Sequence, residues 1–115
     1  MSDIEWTVLT YESNRSEKPV DEFIKKQQPQ ARSKIVHTVR LLRQYGNMLG
    51  LPHSKALGGG IYELRIRGKE ELRIFYCFVE VRTIFLLHAF KKQTQHTPQK
   101  ELERASLRKK ALTEK

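Results

Sequence analysis

Polar and apolar residues alternate along several short stretches of the chain, and this pattern predicts β-strands. In residues 4–11 the apolar side chains of Ile4, Trp6 and Val8 share one face of such a strand. Three further alternating segments lie in the second half of the chain: 61–67, 71–79 and 83–90. Because only short links separate these three segments, they are predicted to form an antiparallel meander. The links are Gly68-Lys69-Glu70 and Glu80-Val81-Arg82.

Between the first strand and the meander, apolar residues recur at helical spacing instead. Pro19 and Pro29 suit the first turns of two helices, and Gly46 suits the end of the second. Residues 19–46 are therefore predicted to form a helical hairpin with one buried face. Four basic residues fall mostly on the opposite face, which we interpret as solvated: Arg32, Lys34, Arg40 and Arg43. Residues 47–60, with the run Gly58-Gly59-Gly60, are expected to form a loop with a flexible turn.

A last helix is predicted over about residues 98–111, with Thr97 as its N-cap and Pro98 as its first residue. Its apolar content is slight, so we expect it to dock weakly or to move. The order strand, two helices, three strands, helix predicts an α+β domain. In this arrangement the helices pack on one face of a small, mostly antiparallel sheet. A length of 115 residues fits a single domain spanning 1–115.

The charge of the chain is large and unevenly distributed. The formal net charge is +9, yet residues 1–30 carry four Lys or Arg against six Asp or Glu. Residues 31–115 carry 18 basic against seven acidic residues. Such an excess favours a polyanionic partner, most often nucleic acid, because each phosphate contact releases counterions.

Several classes of protein are not indicated. The single cysteine, Cys77, excludes an internal disulfide and a zinc site made of cysteines. The four histidines lack the spacing of a metal site, so neither a metal nor another cofactor is expected. No apolar run is long enough to span a membrane, and the first residues do not have the pattern of a signal peptide. A cytoplasmic location is therefore the default expectation.

The alternation of the meander predicts a cluster of basic side chains on one sheet face. Arg65, Arg67 and Arg73 share the parity opposite to the main apolar face. Like charges on neighbouring strands repel, so this cluster is expected to have an anionic partner or counter-charges. Glu63 and Glu71 have the same parity and are candidate counter-charges. Purely structural ion pairing is the alternative interpretation of the cluster.

Two lysines and a histidine lie at the end of the last predicted strand. Lys91 and Lys92 follow it directly, while His88 stands among apolar residues and is more often a hydrogen-bonded core residue in such a setting. If the basic face cuts RNA, arginines would stabilise the dianionic phosphorane formed when a 2′-hydroxyl attacks the adjacent phosphate. A Lys or Arg could act as the base only if its neighbours depressed its pKa.

Several stretches together resemble the RelE/HigB toxin superfamily, and most closely its phage-derived HigB-like branch. The resemblance covers roughly residues 4–110. Its main parts are Lys55-Ala56-Leu57, Gly60-Ile61-Tyr62-Glu63-Leu64-Arg65, Leu72-Arg73-Ile74-Phe75-Tyr76, Leu86-Leu87-His88-Ala89-Phe90-Lys91-Lys92 and Thr97-Pro98. It implies a RelE-like fold with a mobile C-terminal helix. It also implies the toxin of a type II toxin–antitoxin module, a metal-independent endoribonuclease that cleaves mRNA on the ribosome and inhibits translation.

The same resemblance implies a cognate antitoxin, often of the helix-turn-helix type, and a set of site residues. The candidate catalytic residues are Arg65, Arg73, Lys91 and Lys92, and the candidate RNA-binding residues are Lys55, Arg67 and His88. The chain departs from the pattern of the superfamily at two positions, and both differences concern the general base. Glu63 stands where some members have a second lysine, and no tyrosine follows Tyr76, although some members use one near the C-terminus. Two alternatives share this scaffold: a non-catalytic RNA- or ribosome-binding protein, and a gyrase-targeting toxin of the ParE type.

Overall fold

The computed structural model describes residues 4–113 of the chain. A mixed five-stranded sheet forms the centre of the fold. The strands are β1 (Thr7–Thr10), β2 (Ser54–Gly58), β3 (Ile61–Ile66), β4 (Leu72–Val79) and β5 (Thr83–Lys91). They lie in the order β1-β5-β4-β3-β2, with β1 parallel to β5 and every other pair antiparallel. The predicted α+β class and the predicted meander are both confirmed.

Within residues 4–113, three α-helices accompany the sheet: α1 (Pro19–Lys25), α2 (Pro29–Tyr45) and α3 (Gln99–Thr113). As predicted, α1 and α2 form a hairpin, and each has a proline in its first turn. Gly46 ends α2 with a φ of +53°, and a side chain there would collide with the Trp6 ring. Glycine is therefore required at this position both by its backbone conformation and by the packing of Trp6. No helix within residues 4–113 is long and apolar enough to cross a membrane.

One face of the sheet packs against the α1–α2 hairpin. The buried residues of this first core come from both helices and from three strands: Val20, Ile35, Leu42, Leu64, Ile66, Leu72, Ile74, Tyr76, Ile84 and Leu86. The strand members have the parity that the sequence predicts for the apolar face. Trp6 and Val8 of the N-terminal segment pack against the edge of this core.

The expectation that all helices pack on one sheet face is wrong, because α3 packs on the opposite face. Ala105 of α3 is fully buried in a second core with Ile61, Phe75, Cys77, Leu87 and Phe90. The physical reason is that these strand residues are apolar although they share a face with the arginines. Such a face cannot remain open to water without cost, and α3 covers its apolar part.

The expectation of a loop over residues 47–60 is wrong at residues 54–58, where the edge strand β2 forms. Ser54 is buried, and its hydroxyl lies 2.5 Å from the hydroxyl of Tyr76. Gly58, Gly59 and Gly60 all have positive φ and make the tight turn that leads into β3. The glycines therefore fix a hairpin between β2 and β3, and β2 brings Lys55 beside the predicted basic cluster.

Candidate functional site

Two arginines face each other directly across neighbouring strands. Arg65 of β3 and Arg73 of β4 are register partners in the antiparallel ladder, so their side chains leave the same face of the sheet. We call these two residues the arginine pair. Unless an anion lies between them, two positive charges at this spacing destabilise the sheet.

Two carboxylates supply that negative charge, as the sequence suggested. Arg65 Nε donates to Glu63 Oε1 at 3.0 Å, and Arg73 Nε lies 3.6 Å from Glu63 Oε2. From the other side, Arg73 Nη1 donates to Glu71 Oε1 at 3.1 Å and to the carbonyl of Leu72 at 3.1 Å. The arginine pair is therefore held within a network of ion pairs.

Burial differs sharply among the members of this network. Glu63 is 1% exposed and Arg73 is 4% exposed, whereas the side chain of Arg65 retains 18% of its surface. The open cationic face that alternation predicts is thus only partly open. Arg65 borders solvent, while Arg73 lies beneath the surface with its charge largely compensated.

Within the described chain, Glu63 Oε2 and Arg73 Nε are buried atoms that have no hydrogen-bond partner. They point toward each other across a gap too long for a hydrogen bond. At 3.6 Å the two charges still attract each other, so this contact is an ion pair without a hydrogen bond.

The two lysines after the last predicted strand fall on different faces. Lys91 is the register partner of Leu72, which belongs to the first core. The Nζ atom of Lys91 lies 2.7 Å from Glu70 Oε2. The backbone N–H of Lys92 donates to the carbonyl of Glu71, so alternation returns Lys92 to the face of the arginine pair. The structure therefore places Lys92 nearer the candidate site than Lys91.

Basic residues flank the arginine pair at the sheet edge. Lys55 is the register partner of Glu63 and is exposed. A surface cavity of about 240 Å³ beside Arg65 is lined by Lys34, Thr38, Pro52, His53, Arg65 and Arg67. Within residues 4–113, neither Lys34 nor Arg67 forms an ion pair. The sequence predicts Lys34 on a solvated helix face, since its position beside Gly68 in the β3–β4 turn arises only from tertiary packing.

His88 is tied to α3. Its Nε2 lies 2.5 Å from Glu101 Oε1, and its Nδ1 lies 3.1 Å from Arg108 Nη1, which also donates to the carbonyl of Leu87. Because an arginine can only donate, Nδ1 accepts and Nε2 carries the proton given to Glu101. Burial lowers the pKa of His88, Glu101 opposes this shift, and the charge of Arg108 adds to it.

This arrangement makes His88 the polar link between β5 and the C-terminal helix. His88 is 6% exposed, and both of its ring nitrogens are occupied by α3 side chains. It lies beside Phe75 in the ladder, on the same face as the arginine pair. An RNA contact by His88 stays a prediction and requires α3 to move away.

The architecture agrees with what a comparison of sequences shows. A strand, a helical hairpin, an antiparallel meander and a C-terminal helix make up the fold, and the arginine pair lies on the sheet face that α3 partly covers. The chain belongs to the family described as phage-derived Gp49-like proteins (DUF891), which matches residues 22–110. This family is part of the RelE/HigB-like toxin superfamily. No curated protein matches the chain.

Proposed function

We propose that this chain is the toxin of a type II toxin–antitoxin module and acts as a metal-independent endoribonuclease on mRNA, with the ribosome as the place of cleavage. Family membership supports the toxin class, since toxins of RelE type are typically ribonucleases. The net charge of +9 fits a polyanionic substrate. The arginine pair is the observation that carries the catalytic part of the proposal.

The arginine pair is suited to binding a phosphate because each arginine keeps an outer nitrogen that has no hydrogen-bond partner within residues 4–113. Arg65 uses only Nε for Glu63, and Arg73 uses Nε and Nη1 for its carboxylates and for the Leu72 carbonyl. Within residues 4–113, the Nη2 atoms of both residues therefore have no hydrogen-bond partner. Guanidinium groups that present free N–H bonds side by side match the geometry of phosphate oxygens.

The proposed reaction is an in-line transesterification at one phosphate of the RNA. The 2′-oxygen forms a bond to phosphorus while the bond to the 5′-oxygen of the next nucleotide breaks, giving a 2′,3′-cyclic phosphate and a 5′-hydroxyl. The proton of the 2′-hydroxyl passes to water, and Lys92 donates a proton to the leaving 5′-oxygen. Arg65 and Arg73 stabilise the extra negative charge of the pentacoordinate state. Because the 2′-hydroxyl is the nucleophile, DNA is not cleaved.

The flanking basic residues hold the neighbouring phosphates in this proposal. Lys55 extends from the β2 edge beside Glu63, and Arg67 continues the line of the arginine pair past the end of β3. Lys34 and His53 line the adjoining cavity and extend the same basic surface. Each such contact adds affinity that weakens with salt, without selecting a base.

An antitoxin is the expected protein partner, as membership of a toxin family implies. We infer that its neutralising segment is rich in acidic and apolar residues, because the candidate site combines basic side chains with the apolar surface under α3. Co-expression with the neighbouring reading frame should restore growth and give a complex that co-purifies. If the two proteins neither rescue growth nor co-purify, this partner assignment fails.

The burial of Arg73 favours a second candidate function, that of an RNA- or ribosome-binding protein without catalysis. A guanidinium that is 4% exposed and compensated by Glu63 and Glu71 resembles a structural ion pair. In this case the partly exposed Arg65 and the exposed residues Lys55 and Arg67 carry the binding, and no RNA bond is broken.

Arg65 is the residue that separates the two candidates, because it is the more exposed member of the arginine pair, and the variants are compared as folded protein. We would compare Arg65→Ala with wild type on labelled RNA, with and without ribosomes, and use Arg40→Ala on the exposed face of α2 as the control of equal charge. For the enzyme, Arg65→Ala lowers the cleavage rate about 10²–10³-fold while RNA affinity changes little. Cleavage by neither protein, with weaker binding by Arg65→Ala, would instead establish the binding protein.

A further inference from the structure

Glu63 occupies an unusual position for a carboxylate. It lies in the middle of β3, is 1% exposed, and has β2 on one side and β4 on the other. Its strand neighbours within reach on the same face include Lys55 and the arginine pair. A side chain that loses nearly all of its hydration in such a place needs compensation from the charges around it.

The positive charge that balances Glu63 comes from both arginines, and each arginine faces Glu63 with its Nε atom. Arg65 offers Nε to Oε1 at 3.0 Å, and Arg73 presents Nε to Oε2 at 3.6 Å. Neither contact uses the outer edge of the guanidinium group. Holding both groups by the inner nitrogen leaves the Nη2 atoms of both free to bind one external anion.

We propose that Glu63 is a positioning residue that aligns Arg65 and Arg73 on a single RNA phosphate. This inference rests on the proposed ribonuclease function and adds a residue that does not itself touch the substrate. Glu63 acts from beneath the arginine pair, where it accepts a hydrogen bond from Arg65 Nε and attracts Arg73 Nε by its charge. RNA then approaches from the solvent side and meets guanidinium groups that are already oriented.

A purely stabilising role would predict a different arrangement. A carboxylate chosen for stability would close both hydrogen bonds, or would be replaced by a neutral group. Here Glu63 Oε2 and Arg73 Nε remain buried without hydrogen bonds within the described residues. The charge of Glu63 is thus shared between two arginines, and only the contact with Arg65 is a hydrogen bond.

Glu71 provides a useful contrast, because it binds Arg73 in another way. It contacts Nη1 rather than Nε, and its side chain is 40% exposed. This contact is a hydrogen bond of 3.1 Å, but solvent screens it and it involves Arg73 alone. Of the two carboxylates, only Glu63 bridges both arginines.

The first test is Glu63→Gln, which keeps the size of the side chain and removes its charge. Single-turnover cleavage of an RNA oligonucleotide should slow by roughly 10- to 100-fold, because misplaced groups lose near-attack geometry. KM should change much less, since the flanking basic residues remain. The matched control is Glu22→Gln, which removes an exposed carboxylate paired with Lys25 on α1. A cleavage rate for folded Glu63→Gln equal to that of the control would overturn the proposal.

A second measurement observes the arginines directly and does not depend on cleavage. In ¹H–¹⁵N spectra of the wild-type chain, the Nε–H signals of Arg65 and Arg73 should exchange slowly with water, whereas that of exposed Arg40 exchanges fast. Adding a 2′-O-methyl RNA, which lacks the nucleophile, should shift the Nη signals of the arginine pair while both Nε–H signals persist. Fast exchange at both Nε–H groups in the wild type would contradict the positioning role, even if Glu63→Gln fails to fold.

These two measurements separate the inference from the function on which it rests. A wild type that cleaves no RNA refutes the proposed ribonuclease, and the response of the Nη and Nε–H signals to 2′-O-methyl RNA then decides whether Glu63 positions the arginine pair for phosphate binding. A wild type that cleaves, together with a Glu63→Gln variant that cleaves equally well, refutes the positioning role and leaves the ribonuclease in place. Slow Nε–H exchange with a selective loss of rate in Glu63→Gln supports both.

Discussion

Arg73 is held by two carboxylates that differ in burial, and this difference predicts very different effects of removing each. Glu63 is 1% exposed and interacts with both members of the arginine pair. The side chain of Glu71 is 40% exposed and contacts Arg73 alone. Glu63→Ala and Glu71→Ala therefore form a matched pair of perturbations around one buried cation.

The expected magnitudes follow from what each deletion leaves behind. Glu63→Ala leaves Arg73 buried and places two positive charges opposite each other without a central anion. Breaking a buried ion pair in this way costs about 3–5 kcal/mol. Glu71→Ala removes a contact that solvent already screens, so its cost should stay below about 1 kcal/mol. For a domain of this size, 1 kcal/mol corresponds to roughly 4 °C in Tm, so the two variants should differ by about 8 °C or more.

Thermal and urea unfolding followed by circular dichroism would measure both effects on one scale. We expect a large drop in midpoint for Glu63→Ala, with an unchanged m-value, and a small drop for Glu71→Ala. Equal destabilisation by the two variants, or a Glu63→Ala cost below about 1 kcal/mol, would refute the view that Arg73 is a buried charge dependent on Glu63.

Three further predictions concern the hydrogen bonds that hold β2 and α3 in place. Tyr76→Phe leaves the buried Ser54 hydroxyl unpaired and should cost about 1–3 kcal/mol, whereas adding Ser54→Ala to it should recover part of that loss in a double-mutant cycle. Burial lowers the pKa of His88, so the folded state binds the proton of this histidine less readily than the unfolded state does. The free energy of unfolding should therefore be highest above the unfolded pKa of about 6.5 and should fall as the pH drops below it. Urea midpoints from pH 7.5 downward would show this loss, and a stability that rises on acidification would contradict it. Glu101→Gln should lower the pKa of His88 further in an NMR titration, since the carboxylate of Glu101 raises it, and an upward shift would exclude the contact.

The helical hairpin and the meander were predictable because local signals and periodicity agree there. Pro19, Pro29 and Gly46 mark helix boundaries through backbone geometry alone. The alternation in β3 and β4 likewise predicted that Arg65 and Arg73 share a face, and the register places them directly opposite each other. These features depend on residues close in sequence.

The missed features depend on contacts between distant residues. Strand β2 is short and lies beside a glycine turn. It is held by a hydrogen bond between Ser54 and Tyr76, which are 22 residues apart, so no local sequence pattern predicts it. The packing of α3 on the second sheet face follows from Phe75 and Cys77, whose apolar character was visible in the sequence next to the arginines. The apolar residues Phe75 and Cys77 on the face of the arginines favour a sheet face that is covered by a helix.

The burial of the candidate site could not be predicted from the sequence. Alternation assigns a side chain to a face, but it does not tell how deeply neighbouring strands and helices enclose that side chain. Glu63 and Arg73 therefore looked like surface charges, although both are nearly inaccessible. The incomplete contact between them, and with it the positioning role that we propose for Glu63, emerges only from the folded structure.

Inducible expression in a bacterium tests the central claim most directly, with primer extension on an abundant mRNA for the wild type and for Arg73→Ala. We predict growth arrest with new 5′ ends inside translated codons for the wild type, and neither effect for soluble Arg73→Ala. Growth arrest by the wild type without new 5′ ends would contradict the ribonuclease, and it would indicate a toxin that blocks the ribosome or gyrase instead.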